Sequence, residues 1–262
     1  MKSSCAEYQE NGFVLLKNFF SKDQIENVFE DARRIFVAQM LHHQLVSTPH
    51  PRGSEFEEGM YQLFERHPEH FMNCGKQAQH LISLHRLSLE PLIQSKLQDL
   101  GMTFPNISTR PVMYFNHPRL AKKEVYWRVF PHQDWRSMQG SLDSIVVWMP
   151  MVDIDVSLGA LEIVPRSHHE GLLTTEVEDG FGKVQRYVDA DFVPVETERG
   201  DALFFSSFLV HRSGNNVTPS IRWSCHFRYN NLDEPTFIER GFPHPYLYKP
   251  QEQLITPRFS VS

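Results

Sequence analysis

The hydrophobic pattern of this chain changes its period near residue 110, and that change limits the folds available to it. Before residue 110, apolar residues recur every three or four positions, the spacing of one face of an α-helix. After it, short apolar or alternating runs are separated by Pro, Gly and Asn, which is typical of β-strands. These runs are 112–115, 125–130, 144–149, 161–164, 202–205, 208–211 and 221–229. A sandwich or barrel covered by helices on one outer face accounts for both regions.

The N-terminal region predicts a short strand at 12–16 followed by several helices. Ser21 and Gln24 have the spacing of a capping box, so a helix is expected to begin there. The pattern is helical again from 57 to 100, and Gly101 is a natural stop. We therefore predict a single domain over 1–262, in which a helical part at 1–110 packs on a β core at 111–262.

Charge and cysteine content narrow the class of partner. The 262 residues carry 26 basic and 32 acidic side chains without a block of like charge, which argues against a nucleic-acid or anionic-membrane surface. The N-terminal residues lack an apolar export signal, and no stretch approaches the ~20 apolar residues of a membrane span. Cys5, Cys74 and Cys225 have no CxxC spacing, which favours a reducing compartment. We expect a cytoplasmic protein that acts on a small molecule.

The run 221–229 alternates strictly in polarity. One face carries apolar and aromatic residues, and the other carries Arg222, Ser224, His226 and Arg228. In a barrel covered by helices, the polar face would point into a wet cavity. A surface strand with its polar side in solvent explains the same alternation, so both interpretations stay open.

The triplet His132-Gln133-Asp134 is the strongest candidate for a metal site. On a strand, His132 and Asp134 would share one face, and they follow an apolar run. His211 ends another apolar run and could supply a third ligand, and Arg222 follows it by 11 residues. Two histidines and one carboxylate are the ligands of non-heme iron(II) oxygenases, and an arginine can pair with a carboxylate of 2-oxoglutarate. A structural zinc site built from the same three side chains also remains open.

Two rival triplets have less support. His168-His169-Glu170 follows a turn, and His67-Pro68-Glu69 lies among helical segments. Neither has a matching distal histidine and arginine. We therefore assign no metal role to them.

Several ordered motifs resemble the phytanoyl-CoA dioxygenase superfamily of iron(II)- and 2-oxoglutarate-dependent oxygenases over most of the chain. The motifs are HQDW at 132–135, VVWMPM at 146–151, GALEIVPRSH at 159–168, GD at 200–201, HRSG at 211–214 and RWSCHFRY at 222–229. The resemblance implies a double-stranded β-helix, the jelly-roll or cupin-like barrel, with helices over one face. It also implies Fe(II), 2-oxoglutarate and O2 as cofactor and cosubstrates.

Carried over position by position, the resemblance assigns a role to seven residues. It implies that His132, Asp134 and His211 hold iron and that Arg222 binds the distal carboxylate of 2-oxoglutarate. It implies further cosubstrate contacts from Ser213, Trp148 and Met113, and no catalytic residue beyond the metal site. A turn residue at Ser213 and a core aromatic at Trp148 are the simpler alternatives.

The expected reaction is hydroxylation of an unactivated C–H bond of a small metabolite, with release of succinate and CO2. Halogenating relatives have a small residue where this chain has Asp134, so the carboxylate favours oxygen transfer to carbon. A cupin-like module that binds metal or ligand without turnover is the alternative.

Five residues are expected near the substrate at the pocket mouth: Trp135, Arg136, Arg128, Arg228 and Asn230. The cations among them suggest an anionic or polyhydroxylated substrate. An acyl-CoA thioester would favour a basic cluster, and only Arg119, Lys122 and Lys123 come near to one.

Overall fold

The computed structural model describes residues 4–178 and 181–244, and most of its helices lie before residue 100. The α-helices before residue 100 are α1 Ser4–Asn11, α2 Lys22–His42, α3 Gly53–Arg66, α4 Pro68–Ala78, α5 Ile82–Ser88 and α6 Pro91–Asp99. Two short α-helices follow later in the chain, α7 Trp135–Met138 and α8 Pro235–Glu239. The prediction of helices in the first hundred residues is confirmed. Within the described ranges, none of the helices is long and apolar enough to cross a bilayer.

Helix α2 begins at the predicted capping box. The Gln24 amide donates to the Ser21 hydroxyl at 3.2 Å, and the Ser21 amide donates to Gln24 Oε1 at 3.1 Å. These two bonds satisfy amides that the first turn cannot pair internally. The apolar stripe of α2 is buried along its length, from Ile25 to Met40.

Within the described residues, ten strands form antiparallel sheets. They are β1 Phe13–Leu16, β2 Pro105–Asn116, β3 Ile145–Pro150, β4 Leu161–Ile163, β5 Glu176–Glu178, β6 Phe181–Lys183, β7 Val193–Val195, β8 Ala202–Ser206, β9 His211–Ser213 and β10 Arg222–Asn231. A five-stranded sheet has the order β1-β8-β3-β10-β2, and a three-stranded sheet has the order β7-β4-β9. Strands β5 and β6 form a separate hairpin. Across the described residues, the sheets do not join into one closed barrel.

Strand β10 lies between β3 and β2, and both of its faces are buried. Its apolar residues, including Trp223, belong to the main hydrophobic core that the sheet shares with the helices. The four polar side chains at 222, 224, 226 and 228 line a cavity or lie buried beside it. The buried polar face is the first of the two interpretations that the alternation allowed.

Two predicted strands are wrong. The run 208–211 is mostly a turn, in which the Leu209 amide donates to the Ser206 carbonyl at 2.8 Å, and strand β9 begins only at His211.

The run 125–130 does not form a strand, because a helical turn at Glu124–Tyr126 occupies its start, and the Ser213 amide of β9 makes only an isolated bond to the Val129 carbonyl at 3.1 Å. The Arg128 amide donates to the Glu124 carbonyl at 2.8 Å, and the two side chains form an ion pair at 3.0 Å. These local bonds favour a turn over an extended conformation.

The single-domain prediction includes residues 1–3, 179–180 and 245–262, which lie outside the described residues. It stays a prediction. The three cysteines are free thiols.

Candidate metal centre

His132, Asp134 and His211 meet in space. Across the described residues, they are the one group of three or more His, Cys, Asp or Glu side chains whose ligand atoms lie within 4.8 Å of one another. Asp134 and His211 are buried, whereas His132 is partly exposed. The site therefore lies in a cavity, and His132 is the candidate ligand that solvent can reach.

The backbone holds the two histidines side by side. The His132 amide donates to the His211 carbonyl at 2.9 Å, and the His211 amide donates to the His132 carbonyl at 3.1 Å. This bridge connects the loop before α7 to strand β9. Long-range pairing of this kind brings together two residues that are distant in the chain.

The orientation of each imidazole follows from a local hydrogen bond. His132 Nδ1 lies 2.7 Å from the Phe130 carbonyl, and His211 Nδ1 lies 3.0 Å from the Leu209 carbonyl. A carbonyl only accepts, so each Nδ1 carries the proton and each Nε2 keeps a free lone pair. Burial, with His132 nearby, lowers the pKa of His211 to about 4. His211 is therefore neutral at pH 7, the form that binds metals.

Asp134 lies in a turn rather than in a strand. It directly precedes α7, and its backbone has helical dihedral angles. The Gln133 side chain points away from the cavity, and its Nε2 donates to the Gly171 and Phe208 carbonyls. The residues flanking Gln133 consequently face the cavity, as predicted, although no strand places them there.

Arg228 neutralises Asp134 through two bonds. Its Nε and Nη2 atoms donate to Asp134 Oδ2 and Oδ1, each at 3.1 Å. Burial alone would raise the pKa of Asp134, but the Arg228 guanidinium holds it well below its usual range. The carboxylate is therefore charged and oriented.

Arg222 is a buried cation that, among the described side chains, has no carboxylate partner. It is 3 % exposed, and its Nη atoms donate to the Gly159 carbonyl at 2.5 Å and to the Ser213 hydroxyl at 3.3 Å. Its Nε is buried and has no partner within the described residues. Burial lowers the pKa of Arg222 to about 10, so it remains charged at pH 7. A buried guanidinium in this state favours binding of an anion.

A cavity of about 40 Å³ connects Arg222 to the three candidate ligands. Ser213 and Trp148 line it, where the resemblance places cosubstrate contacts. Met113 does not, because it packs into the core on the helical side of the sheet. Its neighbour Tyr114 faces the cavity instead.

The residues expected at the pocket mouth have other contacts. Trp135 stacks on Phe208, with ring centroids 5.3 Å apart. Arg136 donates to the Leu173 carbonyl, and Arg128 pairs with Glu124. Asn230 Oδ1 accepts from the Ser141 amide. Of the five residues, only Arg228 lines the cavity, where its guanidinium is bound to Asp134.

Four polar residues that sequence reasoning did not assign also line the cavity: Tyr114, Asn116, Arg212 and His226. The alternation of β10 already placed His226 on the same face as Arg222. For Tyr114 and Asn116, the signal was the pairing of β2 with β10, in which Asn116 lies opposite Arg222.

Comparison with known proteins gives a consistent family match. The model of the family described as Phytanoyl-CoA dioxygenase (PhyH) matches residues 8–224. Peroxisomal phytanoyl-CoA dioxygenase of Rattus norvegicus is 26% identical over 239 residues, covering 84% of this chain and 66% of the relative. The chain thus spans slightly less than two thirds of that relative. Methylphosphonate hydroxylase of Gimesia maris is 25% identical, covering 92% and 84% of the two chains.

Solved structures share the fold at lower identity. The epimerase SnoN, crystallised with Fe3+, alpha ketoglutarate and nogalamycin RO, has a TM-score of 0.58 and 19% identity, covering 87% of this chain and 82% of its own. EvdO2 from Micromonospora carbonacea var. aurantiaca has a TM-score of 0.58 and 15% identity, covering 87% and 90%. At these identities the likeness concerns the fold.

Proposed function

This chain belongs to the phytanoyl-CoA dioxygenase family, and from that premise we propose that it is an iron(II)- and 2-oxoglutarate-dependent dioxygenase. The proposed reaction consumes O2 and 2-oxoglutarate: one oxygen atom hydroxylates an unactivated C–H bond of a small metabolite, the other enters succinate, and CO2 is released. The family match supports the oxygenase class, and the three candidate ligands fit the metal.

The observation that carries the proposal is that one cavity holds both a candidate metal site with only three protein ligands and a buried arginine without a carboxylate partner among the described residues. At one end, His132, Asp134 and His211 offer two imidazole nitrogens and a carboxylate, a set that leaves further positions open on an octahedral ion. At the other end, Arg222 is a buried cation without a carboxylate among the described residues. A dicarboxylate that also binds the metal satisfies both ends, whereas a structural zinc site gives Arg222 no role.

The protein's own residues bind and orient the reactants. His132, Asp134 and His211 would hold iron(II), which in its 2-oxoglutarate complex supplies the oxidising chemistry. Arg222 and Ser213 would hold the distal carboxylate, and Trp148 would form a wall of the same cavity. Arg228 keeps Asp134 charged, so no proton competes for the carboxylate near neutral pH. Burial of these groups limits the access of bulk water.

Three broader properties belong to the same proposal. The two larger antiparallel sheets, which both contribute to the cavity, would be the halves of a double-stranded β-helix. Residues 1–262 would form one domain around a shared core. The three free thiols support a reducing, cytoplasmic location.

The substrate proposal changes with the structure. Arg136 and Arg128 have protein partners away from the cavity, and Arg119 pairs with Glu58 and Glu65. These contacts weaken the argument for an anionic substrate and do not supply a binding site for acyl-CoA phosphates. We propose only that a small molecule is the partner.

An anaerobic titration tests the proposed function. Iron(II) followed by 2-oxoglutarate is added to the metal-free protein, and the visible charge-transfer band of the chelate is recorded. We expect a band in the wild type, its loss in Asp134→Ala, and at least a tenfold weaker response to 2-oxoglutarate in Arg222→Ala. Arg33→Ala is the matched control, because Arg33 is a buried arginine of α2 that does not line the cavity.

Two outcomes contradict the proposal. One is the absence of a band in the wild type together with tight zinc binding, which would leave a non-catalytic module. The other is a band that Arg222→Ala and Arg33→Ala weaken equally, because the effect would then come from general loss of a buried cation. Succinate release without added substrate gives an independent measure of turnover.

A further inference from the structure

His226 has no role in the proposed function, although it lines the same cavity. Its side chain is 6 % exposed, and its Nε2 atom is buried without a hydrogen-bond partner in the described part of the chain. A buried nitrogen without a partner is costly, so native structures seldom leave one without a reason. Its location in the cavity points to a ligand as the missing partner.

The charge state of His226 is settled by its surroundings. Burial, with Arg228 adding to it, lowers the pKa of His226 well below its usual value, although Asp134 opposes this shift. The groups that act on it are Arg228, Asp134, His211 and His132. His226 is therefore a neutral imidazole at pH 7, which can form a hydrogen bond but not an ion pair.

The position of His226 along β10 shows which part of a ligand it can reach. Side chains at every second position share the cavity face, so His226 lies between Arg222 and Arg228. Arg222 would bind the distal carboxylate, and Arg228 holds the metal ligand Asp134. His226 is only two residues from Arg228, and the three candidate metal ligands all act on it electrostatically. It therefore lies near the metal end of the cavity.

Two aromatic neighbours fix the imidazole. The Tyr114 ring lies 5.3 Å from it between centroids, and Trp148 is its partner in the register with β3. A side chain held in this way loses little further entropy when a ligand binds.

We propose that His226 is a positioning residue for 2-oxoglutarate: the Nε2–H of His226 donates a hydrogen bond to an oxygen of the keto-acid end. The inference rests on the proposed function and adds a second contact from β10 to the same molecule. Arg222 holds one end of the cosubstrate, and His226 orients the end that binds the metal.

The test compares two measured properties of the anaerobic iron(II) protein, the dissociation constant of 2-oxoglutarate and the wavelength of the charge-transfer band. His226→Leu removes the hydrogen bond, and we expect about fivefold to tenfold weaker binding and a shifted band. His226→Gln keeps an amide that can donate or accept, and we expect affinity within about twofold of the wild type. Arg222→Ala weakens binding at the distal end, so the band that remains keeps its wavelength.

Cys225→Ala is the control, because Cys225 is the adjacent residue of β10 and faces the helical core. Equal affinity and wavelength in His226→Leu and wild type would overturn the inference and leave the proposed function intact. Equal losses in His226→Leu and Cys225→Ala would also overturn it, since packing of β10 would then be the cause. The absence of a band in the wild type would overturn both proposals. If His226→Leu does not fold, the same comparison is made with His226→Phe.

Discussion

A buried carboxylate such as Asp134 needs a partner for its charge, and Arg228 supplies it with two bonds of 3.1 Å. The pair has a second consequence at a metal centre. A carboxylate fixed by a bidentate arginine presents its remaining lone pairs in one direction, toward the two histidines. Arg228 therefore acts on the metal through Asp134 and is a positioning residue.

Replacement of Arg228 is expected to weaken metal binding. Without the guanidinium, Asp134 loses its orientation, and burial raises its pKa so that protons compete with the metal. For Arg228→Ala we expect a dissociation constant for cobalt(II) that is about 10-fold to 100-fold higher, with a larger effect at lower pH. Arg228→Lys keeps the positive charge but cannot form two parallel hydrogen bonds to Asp134, so its dissociation constant for cobalt(II) should lie between those of the wild type and Arg228→Ala. Titration calorimetry at two pH values measures the dissociation constant of cobalt(II) for each variant.

Arg128→Ala is the control for that experiment, since Arg128 pairs with Glu124 outside the cavity. It should bind cobalt(II) as the wild type does. Removal of Arg228 also takes away a positive charge near the cation. Tighter metal binding in Arg228→Ala would mean that this repulsion outweighs orientation, and the positioning role would be wrong.

Features that depend on residues within a single helix or strand could be predicted from the sequence. The capping box of α2 depends on Ser21 and Gln24 alone, so three-residue spacing was sufficient to find it. The cavity face of β10 follows from alternation within one strand, and this predicted that Arg222 and His226 share a face.

Some features that depend on more than one element were missed. Met113 and Tyr114 differ by one position on β2, and the pairing with β10 decides which of them faces the cavity. Asn230 is on the same side of β10 as Arg228, but it bonds to Ser141 in the loop after α7. Side-chain partners of this kind depend on the path of a loop, which the hydrophobic pattern does not encode.

One carboxylate reinforces the antiparallel pairing of β1 with β8. Asp201 accepts from the Asn18 amide at 3.0 Å, from the Glu198 amide at 2.8 Å and from Lys17 Nζ at 2.8 Å. Burial alone would raise the pKa of Asp201, but the hydrogen bonds from Lys17 and the two amides lower it. Strand β1 is the edge of the large sheet, so Asp201 fixes that edge to the turn before β8.

Asp201→Asn is expected to lower the free energy of unfolding by about 2 kcal/mol at pH 7. The folded pKa is below the unfolded value of roughly 3.9, so the contribution is present above that value and is lost as the pH falls through the folded pKa. The difference between variant and wild type should therefore shrink in acid. Urea unfolding at pH 7, 5 and 3 measures it. Asp189→Asn removes only an ion pair with Arg212 at a 92% exposed side chain, where solvent screens the charges, so it should change little at any pH. A constant difference for Asp201→Asn would contradict the assignment.

At the scale of the molecule, the N-terminal helices and the large sheet share the main hydrophobic core. Trp223 of β10 packs edge to face on Phe29 and Phe36 of α2 and contacts Phe115 of β2. The cavity lies on the opposite face of the same sheet. The helices therefore support strand β10, which carries Arg222 and His226. Among the described side chains, no helical residue lines the cavity.

The shared core predicts that the helices and the sheets unfold together. Phe36 is fully buried and contacts Phe71, Phe115 and Trp223, so Phe36→Ala should cost about 3–5 kcal/mol. Far-ultraviolet circular dichroism reports mainly on the helices, and tryptophan fluorescence reports mainly on the β region, where all four tryptophans lie. We expect both signals to give one coincident urea transition, and the variant to shift both equally. Ile82→Ala, at a 70% exposed position, should shift neither appreciably. A shift of the dichroism transition alone would separate the helical region from the sheets and contradict the single domain, because a residue of α2 would then stabilise only its own part of the chain.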